Sequence, residues 1–131
     1  MREVVTRHPD FYEIKYSLGL LLAEKNQYEE AALFLGDASA GLPQRSRIHY
    51  NLGLLLQKLR SDTGAESALK RALAIEPENP DYLYALAVFY LERGNLEMAR
   101  ETAEKLSSAR PDLPAGKRLL EMIEKRIIPK Y

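Results

Sequence analysis

The sequence predicts an all-α fold of antiparallel helical hairpins that stack on one another. Three observations lead to this prediction: a 34-residue repeat, apolar residues at helical spacing within each repeat, and small residues where two helices would meet. The repeat is clearest in four prolines that follow one another at 34-residue steps, namely Pro9, Pro43, Pro77 and Pro111. One hairpin is too small to bury its own apolar face, so repeats of this kind stack on their neighbours.

The first hairpin is predicted on either side of Asn26. Before it, apolar residues recur at three- and four-residue steps, as expected for a helix: Phe11, Ile14, Leu18, Leu21 and Leu22. We expect Asp10 to cap this helix, with Glu13 as its capping-box partner. Asn26 is expected to cap the second helix in the same way, together with Glu29. The buried stripe of that second helix is Ala31, Ala32, Leu35 and Ala38.

The same pattern returns one and two repeats later. The matching positions are Leu18–Gly19, Leu52–Gly53 and Leu86–Ala87 in the first helices, and Ala31, Ala65 and Ala99 in the second helices. Small residues at both places allow two helix backbones to approach closely. In the third repeat we expect Asn79 to cap the first helix, Pro80 to occupy its first position, and Gly94–Asn95 to separate the two helices.

Both ends of the chain carry further information. Residues 114–127 form an amphipathic pattern with a charged outer face, which is typical of a terminal capping helix. Val4 lies 34 residues before Ala38, so residues 1–8 are interpreted as the last turns of a second helix whose own first helix is absent. We therefore expect the chain to be excised from a longer protein. The alternative is that this stub is a small N-terminal lid.

These positions resemble the signature of the tetratricopeptide repeat family: a Leu–Gly pair, a bulky residue, a small Ala and a closing Pro. The signature is matched by Leu18, Gly19, Leu22, Ala31 and Pro43, by Leu52, Gly53, Leu56, Ala65 and Pro77, and by Leu86, Ala87, Tyr90, Ala99 and Pro111. The resemblance implies a right-handed α-solenoid with repeats at 12–45, 46–79 and 80–113. Residues 1–11 would end a truncated repeat or form the lid, and residues 114–131 would be the capping helix and tail.

The sequence departs from the family pattern at several positions. The family's usual aromatic residue early in the first helix is replaced by Lys15, His49 and Leu83. Asp62 replaces an apolar residue at the start of the middle second helix. Gly36 and Gly64 lie inside second helices, where each costs about 1 kcal/mol relative to Ala.

Composition and charge exclude several functions. The chain has 131 residues, equal numbers of basic and acidic side chains, and no cysteine. This balance argues against a nucleic-acid or anionic-membrane binder, and the 29% of charged residues argues against a membrane-inserted protein. The lack of cysteine excludes thiolate metal sites and a cysteine nucleophile. We expect no cofactor and no metal. The compartment is not determined; a cytoplasmic location is favoured, with a periplasmic one open if the chain comes from an exported protein.

The candidate catalytic residues are few. His8 and His49 have no Cys, Ser or paired carboxylate at a spacing that suggests a triad or a metal site. His49 also lies at a repeat position that the family uses for packing. Acidic pairs at helix starts are better explained by the helix dipole. We therefore predict that the chain is not an enzyme and that His49 is structural.

The resemblance implies that the first helices line a concave groove that binds a peptide or helical segment of another protein. The predicted groove residues are Glu13, Tyr16, Leu20, Arg47, Tyr50, Asn51, Leu54, Lys58, Asp81, Tyr84, Val88 and Arg118. The same stripes continue through Glu24, Leu91, Glu92, Met122 and Arg126. Tyrosine combines a large contact area with a hydrogen-bonding tip and is enriched at binding hot spots. The alternative for the three tyrosines is that their rings fill space between successive first helices.

The residues also limit the identity of the partner. Relatives that hold the acidic C-terminal tails of chaperones use a clamp of Lys, Arg and two Asn. Here the corresponding positions are Tyr16, Leu20, Asn51, Asp81 and Ala85. Only Asn51 fits, so capture of a terminal carboxylate is not expected.

An alternative function remains open. The chain could be a structural segment of a solenoid that spaces or attaches other domains, or that associates weakly with itself. The half-repeat at residues 1–8 motivates this alternative, because it leaves the following first helix with little to cover it.

Overall fold

The computed structural model describes residues 9–127, and within this range it contains seven α-helices and no strand. The predicted half-repeat at residues 1–8 lies outside the described residues. The helices are α1 Pro9–Glu24, α2 Tyr28–Gly41, α3 Ser46–Lys58, α4 Asp62–Ile75, α5 Pro80–Glu92, α6 Leu96–Ala109 and α7 Ala115–Ile127. The all-α prediction is confirmed.

The chain divides into two compact units after Ile75. In the first unit α1 packs against α2, α2 against α3, and α3 against α4. In the second unit α5 packs against α6, and α7 packs mainly against α6 while also contacting α5. Consecutive helices are therefore the main packing partners, as in stacked hairpins.

The two helices of each hairpin in the first unit approach closely at a glycine. A Cβ atom added at Gly19 would lie 2.9 Å from Leu35 Cγ and 3.3 Å from the carbonyl oxygen of Ala31. One repeat later, a Cβ at Gly53 would lie 2.9 Å from Leu69 Cγ and 3.3 Å from the carbonyl oxygen of Ala65. Because no side chain larger than hydrogen fits without displacing a neighbour, the predicted role of these small residues is confirmed.

One buried cluster of the first unit lies between α2 and α3. Ala31, Leu35 and Leu55 are buried together, so residues from α2 and α3 share one cluster. Partly buried side chains of α1, α2 and α3 pack around this cluster: Tyr16, Leu20, Leu22, Ala23, Tyr28, Ala32 and Leu52. The second helix of the first hairpin thus contacts the first helix of the next one.

The predicted caps of the first hairpin are wrong. Asp10 lies inside the first turn of α1, and Glu13 accepts a hydrogen bond from Arg45, the residue before α3, instead of completing a capping box. Asn26 has a φ of +64°, which places it in the left-handed turn between α1 and α2. Its Oδ1 accepts from Tyr28 Oη at 2.8 Å, and the residue at the N-cap of α2 is Gln27, whose side chain makes no capping bond. Asn is favoured both at N-caps and in left-handed turns, so the identity of this residue does not distinguish the two positions.

The predicted start of α5 is confirmed. Asn79 is its N-cap and accepts from the backbone N–H of Tyr82 at 3.2 Å, while Pro80 follows within the first turn. Gly94, with a φ of +79°, makes the turn between α5 and α6. Asn95 then caps α6 by accepting from the backbone N–H of Met98.

The last helix closes the second unit as expected for a capping helix. Leu119 and Ile123, four residues apart on α7, are almost fully buried, whereas the lysines, arginines and glutamates of the helix are exposed. Arg126 donates a hydrogen bond from Nη1 to the carbonyl oxygen of Leu91 on α5 at 3.1 Å. The helix therefore covers the unit with its apolar stripe and presents charge to solvent.

Two glycine substitutions should change stability in opposite directions. Gly36→Ala should raise the free energy of unfolding by about 1 kcal/mol, because an added Cβ meets nothing within 4 Å and Ala is the better helix former. Gly53→Ala should lower it by about 1–3 kcal/mol, because the added Cβ meets Leu69 and the backbone of Ala65. Urea unfolding followed by circular dichroism measures both. A neutral Gly53→Ala variant would show that the helices can separate at little cost.

Candidate peptide-binding surface

In the first compact unit the predicted site residues lie on α1 and α3. They recur at three- and four-residue steps on each helix, which places them along one side of it. On α1 they are Glu13, Tyr16 and Leu20, and on α3 they are Arg47, Tyr50, Asn51, Leu54 and Lys58. Arg47 and Lys58 are exposed, and the others are half-buried. We call these eight residues the α1–α3 face.

Tyr16 and Asn51 join the two helices of this face. The Asn51 side-chain Nδ2 donates to Tyr16 Oη at 2.7 Å. The Tyr16 ring packs on the buried cluster that includes Leu35 and Leu55. Tyr16 therefore contributes to packing as well as to the surface, and one amide donor of Asn51 is already used by the phenol. Sequence spacing did not indicate this bond because its partners are 35 residues apart.

An ion pair at the start of the face also links α1 to α3. Arg45 donates from Nη2 to Glu13 Oε2. This hydrogen bond lowers the pKa of the Glu13 carboxyl below its ordinary value and raises the pKa of the Arg45 guanidinium. Both side chains are close to half exposed, so solvent screens the pair and its net contribution to stability is small.

Cations lie over aromatic rings at both ends of α3. The Arg47 guanidinium carbon is 5.2 Å from the centroid of the Tyr50 ring, and Lys58 Nζ is 5.6 Å from the centroid of the Tyr28 ring on α2. Such contacts orient the long side chains at a modest energetic gain. The apolar middle of α3, around Tyr50 and Leu54, is thus bordered by a positive charge at each end.

The second compact unit carries its own predicted residues. On α5, Tyr84 is 47% exposed, Asp81 is exposed and Val88 is half-buried. Arg118 is exposed on α7. The prediction that Leu91 lines a binding surface is wrong: it is 3% exposed and belongs to the core. Nearly the whole of α5 is apolar, so its pattern did not separate the buried side from the exposed one.

His49 has a packing environment. It is 4% exposed, and its Nε2 lies 2.8 Å from the carbonyl oxygen of Pro43, to which it donates a hydrogen bond. The other ring nitrogen, Nδ1, is buried and has no hydrogen-bond partner. The prediction that this histidine is buried is confirmed.

Residues 9–127 contain neither a membrane-spanning helix nor a cluster of metal-binding side chains. None of the helices described is long and apolar enough to cross a membrane. Over the same residues, no group of three or more His, Cys, Asp or Glu side chains is placed to hold a metal ion.

Comparison with known proteins identifies the family. Three family models, each described as a tetratricopeptide repeat, match residues 1–46, 46–79 and 63–123. Together they cover the repeats that the 34-residue step predicts. The chain belongs to the tetratricopeptide repeat family.

Two curated proteins are related in sequence. Cellulose synthase operon protein C of Pseudomonas fluorescens (strain SBW25) is 29% identical over 121 residues, a match covering 86% of this chain and 10% of that protein. TPR repeat-containing protein MJ1428 of Methanocaldococcus jannaschii is 29% identical over 94 residues, covering 72% of this chain and 17% of that protein. The chain thus spans less than a fifth of the length of either relative.

Several solved structures share the fold. The first TPR of Spaghetti (RPAP3), solved with the HSP90 peptide SRMEEVD, has a TM-score of 0.81 at 16% identity and covers 92% of this chain and 95% of that one. The Yersinia enterocolitica type III secretion chaperone SycD, solved with a peptide of the translocator YopD, has a TM-score of 0.79 at 19% identity, with coverages of 89% and 95%. MamA has a TM-score of 0.82 at 22% identity, with coverages of 95% and 73%.

The Glu13–Arg45 pair can be tested by titration. Arg45→Gln should raise the pKa of Glu13 toward its ordinary value of 4.5, because the charged donor that favours the carboxylate is removed. A carbon-detected NMR titration of the glutamate carboxyls measures this shift. Because the pKa of Glu13 is depressed in the folded state, the stability from the pair is present above the unfolded pKa and is lost as the pH falls through the folded pKa.

Lys70→Gln is the matched control for this titration, since Lys70 pairs with Glu66 on α4 and does not touch Glu13. An unchanged Glu13 titration in Arg45→Gln would contradict the assignment of the ion pair.

Proposed function

We propose that this chain is a non-catalytic protein-interaction module that binds a peptide or a helical segment of another protein through its first helices. The observation that carries the proposal is the α1–α3 face, where Tyr50 and Leu54 are half-buried between the cations Arg47 and Lys58. An apolar centre with charged ends suits a ligand with an apolar anchor flanked by acidic groups.

Two contacts between α1 and the start of α3 support the proposal. Asn51 donates a hydrogen bond to Tyr16, and Arg45 donates to Glu13, so the side chains of this face already have partners in the absence of a ligand. A preorganised surface loses less conformational entropy when it binds, and aromatic side chains on rigid helices are common anchors at interfaces. The half-exposed Tyr84 offers a similar anchor on α5 of the second unit.

The structural relatives support the same class of function. The RPAP3 repeat was solved with an HSP90 peptide and SycD with a YopD peptide. Because their identities to this chain are 16% and 19%, they support recognition of a peptide in general and not one particular ligand.

We further propose that this chain does not recognise a terminal carboxylate. The positions that correspond to a carboxylate clamp hold Tyr16, Leu20, Asn51, Asp81 and Ala85. Asp81 is exposed and would repel an anionic tail, and Ala85 is buried and offers no polar group. Asn51 already donates to Tyr16.

The peptide SRMEEVD tests this exclusion. Isothermal titration calorimetry should detect no binding that depends on the terminal carboxylate of this peptide, because no cation lies at the clamp positions. The same peptide with an amidated C-terminus is the control. Micromolar binding that amidation abolishes would show that a carboxylate site exists.

A selection experiment tests the α1–α3 face. Random 12-residue peptides displayed on phage would be selected on the immobilised chain and then measured in solution by fluorescence anisotropy. The double variant Tyr50→Ala/Leu54→Ala should weaken the selected peptides about tenfold or more, since it removes the apolar centre of the face. Leu33→Ala, at a 71% exposed position on α2, is the matched control and should leave binding unchanged.

Circular dichroism must show that the double variant and Leu33→Ala have the same helix content as the unchanged chain. Selected peptides that bind the double variant as tightly as the unchanged chain would refute the assignment of this face.

A further inference from the structure

A second apolar surface lies on α1, away from the α1–α3 face. Phe11, Ile14, Leu18 and Leu21 follow one another at three- and four-residue steps and form one stripe. Their exposed fractions run from 41% to 59%. Since each residue advances an α-helix by about 100°, this stripe lies on the opposite side of α1 from Tyr16 and Leu20. We call it the α1 outer stripe.

The repeat itself shows what normally covers such a stripe. Three of the four residues, Ile14, Leu18 and Leu21, have apolar equivalents 34 and 68 positions further on: Ile48, Leu52 and Leu55 on α3, and Tyr82, Leu86 and Phe89 on α5. Phe11 corresponds to the polar residues Arg45 and Asn79. On α3, Ile48 and Leu55 are buried and Leu52 is partly buried. Their cover includes α2, because Leu55 clusters with Ala31 and Leu35. The α5 set is buried as well.

We propose that the α1 outer stripe is a docking surface for an amphipathic α-helix of a partner protein, and that this helix carries an apolar stripe like that of α2. That stripe has Ala31 and Leu35 four residues apart, continued by Ala38. Small residues alternate with a large one, so the docked helix can approach closely while the leucine fills the space between Ile14, Leu18 and Leu21.

The C-terminal end of α1 indicates how the docked helix should differ from α2. Lys58 at the end of α3 lies over the Tyr28 ring, at 5.6 Å from its centroid. The equivalent residue on α1 is the exposed Glu24. An anion is poorly placed on an aromatic face and well placed beside a cation. The docked helix should therefore carry Lys or Arg where α2 carries Tyr28.

The size of the stripe limits the affinity. Four side chains that are about half exposed present on the order of 350 Å² of apolar surface, which is within the range of functional patches on single chains. A contact that buries this area on each partner is below the size of a stable interface. We therefore expect reversible binding, with a dissociation constant on the order of 100 µM.

The α2 sequence supplies the probe. A synthetic peptide of residues 27–42, acetylated and amidated, would be titrated into the ¹⁵N-labelled 131-residue chain and followed by NMR. Saturable shifts are expected at the amides of Ile14, Leu18 and Leu21. Ile14→Glu and Leu21→Glu should each weaken binding about tenfold or more, since each places a charge in the contact. The matched control is Leu33→Glu in the chain and not in the probe; this side chain is exposed on α2, so the change should leave binding unchanged.

The charge at the end of α1 gives a second, independent measurement. The probe with Tyr28→Lys should bind about two- to fivefold more tightly than the unmodified probe at low salt, as expected for one exposed ion pair. This preference should disappear in the Glu24→Gln variant of the chain. General adhesion of a peptide to an apolar surface would not produce a preference that depends on Glu24.

Three results would overturn the proposal. The first is the absence of saturable shifts on α1 at millimolar probe. The second is a set of shifts centred on Leu55 and its neighbours, which would mean that the probe displaces α2. The third is self-association of the chain, seen by sedimentation velocity, that prevents the probe from binding and that Ile14→Glu abolishes. The occupant of the stripe would then be a second copy of the chain.

Discussion

The close approach of the two helices in each hairpin is the constraint on which the rest of the first compact unit depends. At Gly19 and Gly53 the second helix comes so near that an added Cβ would lie 2.9 Å from a leucine side chain. This contact presses Ala31 and Ala65 against the first helices and buries both residues completely. Because one side of α1 and of α3 is taken up in this way, their other sides remain available for further contacts.

Those remaining sides have different partners. One side joins α1 to α3 through Tyr16, Asn51, Glu13 and Arg45, and the exposed part of this side is the proposed peptide-binding surface. The other side receives the second helix of the preceding hairpin, as α2 covers Leu55 on α3. On α1 this second side is the half-exposed outer stripe. The same packing rule thus produces both proposed surfaces.

The errors of prediction have local physical causes. Asn26 is expected at the N-cap of α2, but it makes the left-handed turn before that helix. The same turn position holds Arg60 and Gly94 in the later hairpins. Asn is favoured at caps and in left-handed turns alike, so its identity did not decide between them. Leu91 was placed on the surface because α5 is apolar all round, which leaves no polar side to mark the direction of solvent.

The sequence by itself determined the repeat, the helices and the small residues at the helix crossings, because these depend on spacing along the chain. It also placed Asn79 at the start of α5 and His49 in a packing column. Which apolar residues are covered and which polar groups form hydrogen bonds depends on how the helices pack in the tertiary structure. Tyr16 meets Asn51 across 35 residues, and Ile14 is exposed where Ile48 is buried. Such differences arise from the neighbouring helix, and a pattern within one helix carries no information about its neighbour.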